Sequence, residues 1–161
     1  MKEDKENCIF CDIIEGRSPV SIVYEDDKII VFPTIEPVNA SHMLIVPKIH
    51  APYLADVDEE TTLHIIKIAR EVSEAIRKSK YQCEGINWFL ADGEAAEQEV
   101  FHFHFHVYPR FKGDGFGFKY DRSKNFIRTT RQDLDYIANE IKNLLQINSK
   151  EHFTSNTPKK L

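Results

Sequence analysis

The feature that most constrains this sequence is a run in which three histidines alternate with phenylalanines. His102, His104 and His106 are separated by Phe103 and Phe105. Successive side chains of a β-strand point to opposite faces, so the run predicts a strand with imidazoles on one face and aromatic rings on the other. We expect the aromatic face to pack on a core and the imidazoles to lie roughly 6–7 Å apart along the other face.

A row of imidazoles has three interpretations. The simplest is a half-buried strand whose polar positions happen to be histidine, although exposed strand positions more often carry other polar residues. Histidines at this spacing can also share a metal ion, or one of them can act as a nucleophile while the others position a substrate. A neutral imidazole, with an ordinary pKa near ~6.5, can attack phosphorus and form a phosphoramidate that water cleaves later.

The stretch from Gln98 to Arg110 resembles the signature of the histidine triad (HIT) family, which places a glutamine and a valine before the three histidines. The resemblance extends from about residue 8 to about residue 110 and includes segments 24–27, 42–50 and 92–93. It implies a nucleotide hydrolase whose middle histidine, His104, attacks the α-phosphate. It also implies that His106 and Gln98 line the phosphate site and that His42 supports the triad from behind.

The same resemblance implies a cleft for the nucleoside. The residues that match its apolar base pocket, and that could equally be plain core, are Phe10, Ile13, Phe32 and Ile35. Three positions depart from the family pattern: Thr34 replaces the Asp or Asn that binds the ribose, Ala91 replaces an Asn or Gln, and Glu97 replaces a glycine. Thr34 can bind the ribose only through single hydrogen bonds. Glu97 adds a negative charge near an anionic substrate.

A Cys-x-x-Cys motif near the N-terminus can be a redox pair, half of a zinc site or two small core residues. No thioredoxin-like βαβ pattern surrounds it, so redox chemistry is the weakest of these interpretations. Some HIT proteins, and the related galactose-1-phosphate uridylyltransferases, bind zinc at positions that match Cys8, Cys11, His50 and His102. The resemblance therefore implies a structural zinc site that ties the N-terminal segment to the triad strand.

The remaining periodicity predicts an α+β fold, a mostly antiparallel sheet with one long helix packed on it and a C-terminal helix. The resemblance implies that this fold is HIT-like. Strands are expected at 22–25, 28–32, 42–46 and 86–91, followed by a triad strand that begins at His102. A short helix after Cys8 ends at Gly16, the long helix covers 58–78, and a capping box at Thr130 starts the last helix. We expect one domain over residues 1–148 and a flexible polar tail over 149–161.

Composition narrows the range of partners. The formal charge of −5 argues against a general binder of nucleic acid or of anionic membranes. The sequence has no apolar run of about 18 residues, and its first residues lack the apolar core of a secretory signal. Three cysteines are too few for a disulfide scaffold. We therefore expect a cytoplasmic protein with reduced thiols. The family resemblance implies a nucleotide or dinucleoside polyphosphate as its substrate.

Two classes of function fit these observations. The first is a hydrolase of nucleoside phosphoramidates or dinucleoside polyphosphates that forms a covalent nucleotidyl-histidine; the second is a nucleotide-binding or interaction module with little or no turnover. The intact set of His42, Gln98, His104 and His106 favours the enzyme. Nucleotidyl transfer to a sugar phosphate shares the covalent step, but the chain is short for a second substrate site. The long helix has apolar positions to spare, so a homodimer is expected, as the resemblance also implies.

Overall fold

The computed structural model describes residues 5–117 and 129–154. The chain forms two compact units, divided between Phe116 and Gly117. In the described part of the first unit, the strands are β1 (Tyr24–Glu25), β2 (Ile29–Pro33), β3 (Met43–Pro47), β4 (Gly85–Phe89) and β5 (Phe105–Arg110). They form one antiparallel sheet in the order β1-β2-β3-β5-β4. The pairing of β3 with β5 brings the chain around His42 beside the histidine-rich strand.

Two α-helices belong to this unit, α1 (Ile9–Ile14) and α2 (Glu59–Lys78). Helix α1 is followed by Gly16, whose φ of +73° suits the glycine that ends a helix. Helix α2 begins after Asp58, whose carboxylate accepts a 2.9 Å hydrogen bond from the Thr61 N–H. Both helices occur where the sequence predicts them, because their start and stop signals are local.

The second unit contains α3 (Arg131–Thr154). The predicted capping box is present at its start: the Asp133 N–H donates to Thr130 Oγ1, and the Thr130 N–H donates to the Asp133 carboxylate. The helix continues past residue 148, so the proposed domain end at that residue stays a prediction. None of the described helices is long and apolar enough to cross a bilayer.

Apolar clusters cover both faces of the sheet. Helix α2 contributes one side of the larger cluster, with Ile65, Ile68 and Ile76 buried together with sheet residues such as Ile29 and Val107. The smaller cluster lies on the opposite face and comprises Cys8, Phe10, Cys11, Ile30, Phe32, Leu44 and Val46. Alternate residues of β2 and β3 belong to different clusters, as strand geometry requires. The predicted α+β fold with an antiparallel sheet is confirmed.

The predicted start of the triad strand is wrong. Strand β5 begins only at Phe105, and residues 99–104 lie in irregular backbone before it. The Phe103 N–H donates to the Ala51 carbonyl at 2.6 Å, outside the sheet ladder. In this segment the side chain of His102 lies beside the two cysteines. The alternation of faces nevertheless persists, because Phe103 and Phe105 pack with the α2 cluster while His104 and His106 lie on the other side.

Candidate active site and metal cluster

A cleft of about 840 Å³ opens on the α1 face of the sheet, a size that suits a small-molecule ligand. The predicted base-pocket residues that the structure brings to this cleft are Phe10, Ile13, Phe32, Thr34 and Ile35. The side chain of Ile35 is 95% exposed, so it lies at the rim of the cleft. The predicted catalytic residues in the lining are His42, His104 and His106.

His104 is buried at the inner end of the cleft, with its ring 5.1 Å from that of Phe10 between centroids. Its Nδ1 atom lies 2.8 Å from the carbonyl oxygen of His102. A carbonyl can only accept, so Nδ1 carries the proton and the neutral ring keeps its lone pair on Nε2. Burial lowers the pKa of His104, although the His102 carbonyl and the Glu99 charge oppose that shift. The ring is therefore neutral at neutral pH and has the form that a nucleophile needs.

His42 and His106 form a chain of hydrogen bonds whose direction can be worked out. The Val38 N–H donates to His42 Nδ1 at 3.2 Å, so neutral His42 carries its proton on Nε2. That Nε2 lies 2.9 Å from His106 Nδ1, which must therefore accept. Neutral His106 then carries its own proton on Nε2 and can donate it to a group in the cleft. Burial is the main cause that lowers the pKa of His42 to about 4 and that of His106 to about 3.

This neutral histidine pair predicts that the protein loses stability in mild acid. In the unfolded chain both residues return to a pKa near ~6.5, so the unfolded state binds more protons whenever the pH is below that value. The contribution of the pair to the free energy of unfolding should therefore be fully present above about pH 6.5. It should be lost as the pH drops toward the pKa values of the folded state, near 4 and 3. We expect a loss of about 2 kcal/mol from each histidine, or about 4 kcal/mol for the pair, between pH 7 and pH 5, measured by urea unfolding.

The control is the double variant His42→Asn/His106→Asn, whose free energy of unfolding should fall less over the same pH range. Any acid-induced loss of metal affects both proteins, so the difference between their slopes isolates the histidine pair. Equal slopes would contradict the prediction.

Four potential metal ligands lie close together outside the lining of the cleft. One ligand atom from each of Cys8, Cys11, His50 and His102 lies within 4.8 Å of all the others. His102 Nε2 lies 2.8 Å from the Pro47 carbonyl, so Nε2 carries the proton and the lone pair of Nδ1 points toward the thiols. Burial and the Cys8 thiol raise the pKa of Cys11 to about 11, so a cation has to displace the thiol proton. This cluster could bind a metal ion.

Gln98 lies outside the lining of the cleft. Its buried amide oxygen accepts from the Gly93 N–H at 2.8 Å, and its amide nitrogen donates to the carbonyls of Pro52 and Val100. These bonds join the turn at residues 92–97 to the backbone that leads into the triad. A direct role of Gln98 at the phosphate therefore stays a prediction. Ala91 and Glu97 are likewise not among the described residues that line the cleft.

Sequence reasoning missed several residues of the cleft, namely Val20, Glu36, Leu44, Glu99 and Val100. Leu44 could have been found, because it shares the strand face of His42. For Glu36 and Glu99 the sequence carries no comparable signal, since the two lie far apart and only the fold brings them to the same opening.

The comparisons with known proteins agree with this geometry. A HIT domain model matches residues 15–113. A HIT-like protein of Borreliella burgdorferi is 42% identical over 114 residues, which is 70% of this chain and 82% of that protein. A crystal structure of a HIT family protein from Bacillus anthracis has a TM-score of 0.74 at 36% identity and covers 86% of this chain and 96% of its own.

Two further solved structures bear on the chemistry. A Zn-bound histidine triad family protein from Mycobacterium smegmatis has a TM-score of 0.67 at 36% identity, with 73% of this chain and 85% of that chain covered. A HIT family hydrolase from Legionella pneumophila has a TM-score of 0.56 at 33% identity, with 63% of this chain and 90% of that chain covered.

Proposed function

The chain belongs to the histidine triad (HIT) family, and we propose that it is a hydrolase that attacks the α-phosphate of nucleotide derivatives through His104. The observation that carries this proposal is the protonation of His104, whose proton is held on Nδ1 by the His102 carbonyl. The Nε2 lone pair is thus available in a cleft large enough for a nucleotide. The hydrolase from Legionella pneumophila, similar to this chain, supports an enzymatic role.

In the first step, Nε2 of His104 forms a bond to the α-phosphorus while the bond from phosphorus to the leaving group breaks. The leaving group departs with the bonding electron pair and takes up a proton. The His104 ring now carries a positive charge, which the His102 carbonyl stabilises through the Nδ1 hydrogen bond. The Nε2–H of His106 can donate to the phosphoryl oxygens, where negative charge accumulates.

In the second step, water attacks the same phosphorus and the bond to His104 breaks, with its electron pair returning to Nε2. The water releases a proton to solvent, which balances the proton that the leaving group took up in the first step. The products are a nucleoside monophosphate and a neutral His104, so the enzyme is ready for another turnover. The apolar side chains of Phe10, Ile13 and Phe32 would cover the base. Thr34 Oγ1 already accepts a hydrogen bond from the Glu36 N–H at 3.2 Å, which leaves its O–H to donate to a ribose hydroxyl.

The test of this function is hydrolysis of adenosine phosphoramidate, diadenosine triphosphate, diadenosine tetraphosphate and their guanosine counterparts, followed by chromatography of the nucleotides. We expect release of a nucleoside monophosphate from at least one of these compounds. If the protein binds them in calorimetry and releases no product, the chain is instead a nucleotide-binding module.

We propose that the metal of the four-residue cluster is zinc and that its role is structural. In a tetrahedral zinc site, with Zn–S near 2.3 Å and Zn–N near 2.1 Å, sulfur and nitrogen ligands lie about 3.6 Å apart. The separations here are 3.4 Å for Cys8–His102, 3.6 Å for Cys11–His102 and 3.4 Å for Cys11–His50. Bound zinc would complete a closed site and fix His102, whose carbonyl orients the nucleophile. The Zn-bound relative from Mycobacterium smegmatis supports this assignment.

We propose that the protein is a homodimer formed by α2 and β4. Leu63 is 63% exposed on α2, and Trp88 on the edge strand β4 is 42% exposed. The two elements are adjacent, because a 2.9 Å hydrogen bond joins Trp88 Nε1 to Ser73 Oγ. A second copy of this chain would cover the exposed apolar side chains of both through a two-fold axis.

Sedimentation should therefore give about twice the 18.8 kDa mass of one chain, and Leu63→Glu should give a monomer. Ile49→Glu, which changes an equally apolar exposed side chain outside these elements, serves as the control. A wild-type monomer at micromolar concentration would contradict the proposal.

We propose that the protein is cytoplasmic, because Cys8 and Cys11 can bind metal only as reduced thiols. We also propose that the HIT domain spans 1–148 and that 149–161 is a flexible tail. Cell fractionation tests the location, and limited proteolysis with mass measurement of the resistant fragment tests the domain boundary.

A further inference from the structure

The charges around the cleft are unusual for a site that accepts phosphates. Among the described residues that line it, the charged side chains are two glutamates, Glu36 and Glu99, without a lysine or arginine. Two of the three lining histidines, His42 and His106, are neutral at neutral pH, because burial lowers the pKa of each. The cleft therefore offers neutral hydrogen-bond donors at its inner end and negative charge at its opening.

The two glutamates reach the cleft from different elements. Glu36 follows β2, and Glu99 lies in the irregular segment that precedes β5. Both are exposed, which places their carboxylates at the opening. Glu99 and His104 line the same cleft, so Glu99 can interact with a leaving group that extends from the phosphorus at His104 toward solvent.

This arrangement favours or disfavours a leaving group according to its charge. A polyphosphate leaving group adds several negative charges that no cation of the described lining offsets, whereas an ammonium group is attracted. Two charges about 8 Å apart at a partly exposed site interact by roughly 1 kcal/mol, which corresponds to about a fivefold effect on kcat/KM for each pair. Salt weakens the effect, because both carboxylates are exposed.

We propose that Glu99, assisted by Glu36, makes this enzyme selective for nucleotide amidates whose leaving amine is neutral or cationic, and that it disfavours anionic leaving groups such as polyphosphates. This inference rests on the proposed hydrolytic function and assigns its substrate class. Glu99 acts here as a specificity-determining residue at the opening, without contact with the reacting atoms.

The test uses three adenosine 5′-phosphoramidates that share the same P–N bond and differ only in remote charge. Their leaving amines are 1,4-diaminobutane, butylamine and 4-aminobutyrate, which carry a distal cation, no distal charge and a distal anion. Each reaction consumes one water and releases the amine and AMP. We expect wild-type kcat/KM for the cationic compound to exceed that for the anionic one at least about tenfold at low salt, by the charge effects given above.

Glu99→Gln should lower this cation-to-anion ratio at least about threefold, and Glu36→Gln should lower it less. The matched control is Glu97→Gln, because Glu97 is an exposed glutamate two positions away that does not line the cleft. Its ratio should equal that of the wild type. Raising the salt concentration from 20 to 500 mM should reduce the wild-type ratio and change the Glu99→Gln ratio less.

The outcomes separate this inference from the function on which it rests. If none of the three amidates is hydrolysed, the proposed function fails for this bond and the substrate class fails with it. If all three are hydrolysed with a ratio near one, or with a ratio that Glu99→Gln leaves unchanged, hydrolysis stands and the role of Glu99 is overturned. An equal change in Glu97→Gln also overturns it, since the effect would then be one of net charge.

Discussion

Replacement of His104 by alanine is expected to lower kcat/KM at least about a thousandfold, a loss of ~4 kcal/mol in transition-state stabilisation. The reason is that the proposed reaction proceeds through a bond between His104 Nε2 and phosphorus, and no other lining histidine has a comparable lone pair. His106 Nδ1 already accepts from His42, and the remaining His106 nitrogen carries a proton. Steady-state hydrolysis of the best compound in the nucleotide panel measures the loss.

The matched control is His64→Ala, which removes a half-buried histidine that is paired with Asp26 at 2.6 Å and does not line the cleft. This variant should keep wild-type activity. Because His104 packs against Phe10, circular dichroism and a melting curve should confirm that the alanine variant is folded. In wild-type protein quenched during the first turnover, mass spectrometry should find the nucleotidyl group on the peptide that contains His104. Residual activity above about a tenth of the wild-type value would exclude His104 as the nucleophile, since it corresponds to only ~1.4 kcal/mol.

Replacement of Cys8 by serine is expected to abolish stoichiometric zinc binding and to lower the melting temperature by about 10 °C. A zinc ion bound only by the folded state stabilises it by several kcal/mol, and ~1 kcal/mol shifts the melting temperature by about 2–4 °C in a domain of this size. Cys8 and Cys11 flank the start of α1 whereas His102 precedes β5, so the metal would join segments far apart in sequence. Elemental analysis and calorimetry measure the two effects.

Cys83→Ser is the control, because Cys83 is half-buried, lies outside the cluster and donates only to the Gly85 carbonyl. It should keep about one zinc per chain. A chelator should lower the melting temperature of the wild type toward that of Cys8→Ser and leave Cys8→Ser unchanged, which separates metal loss from the cost of a buried hydroxyl. If wild-type protein binds no zinc and the chelator does not change its melting temperature, the cysteines are core residues.

The four-residue cluster and the proposed nucleophile are connected through His102. This residue directs its Nδ1 to the cysteines, and its backbone carbonyl accepts from His104 Nδ1. Loss of the proposed zinc would free the side chain of His102 and loosen the carbonyl that fixes the protonation of His104. Cys8→Ser should therefore also slow hydrolysis, within the 10–100-fold range typical of residues that orient a ligand. His104→Ala, in contrast, should keep its zinc.

The sequence by itself determined the parts of this protein that depend on local periodicity. Short apolar runs predict β2 and β3, and the acidic start and basic end of 58–78 predict α2. The alternation of histidine and phenylalanine predicts the strand that contains the triad. The same alternation assigns the histidines to one face and the phenylalanines to the other. These predictions succeed because the side-chain pattern that defines a strand or a helix depends on residues that are near in sequence.

The tertiary structure determined which part of the histidine-rich segment belongs to the sheet. Residues 101–104 have the alternation of a strand, yet they lie outside the sheet ladder, and His102 contacts two cysteines more than ninety positions away. The amide nitrogen of Gln98 likewise donates to the carbonyl of Pro52, which lies 46 positions away. Long-range contacts of this kind override local propensity, and their partners cannot be read from the residues nearby.

The charge of the cleft was also decided by the fold alone. Glu97 departs from the family pattern because it replaces a glycine before the triad, but it is not among the described residues that line the cleft. Glu36 and Glu99, which carry no mark in the sequence, lie at the opening instead. Distance along the chain says little about distance in space once a sheet has paired remote strands, and electrostatic interaction depends only on the latter.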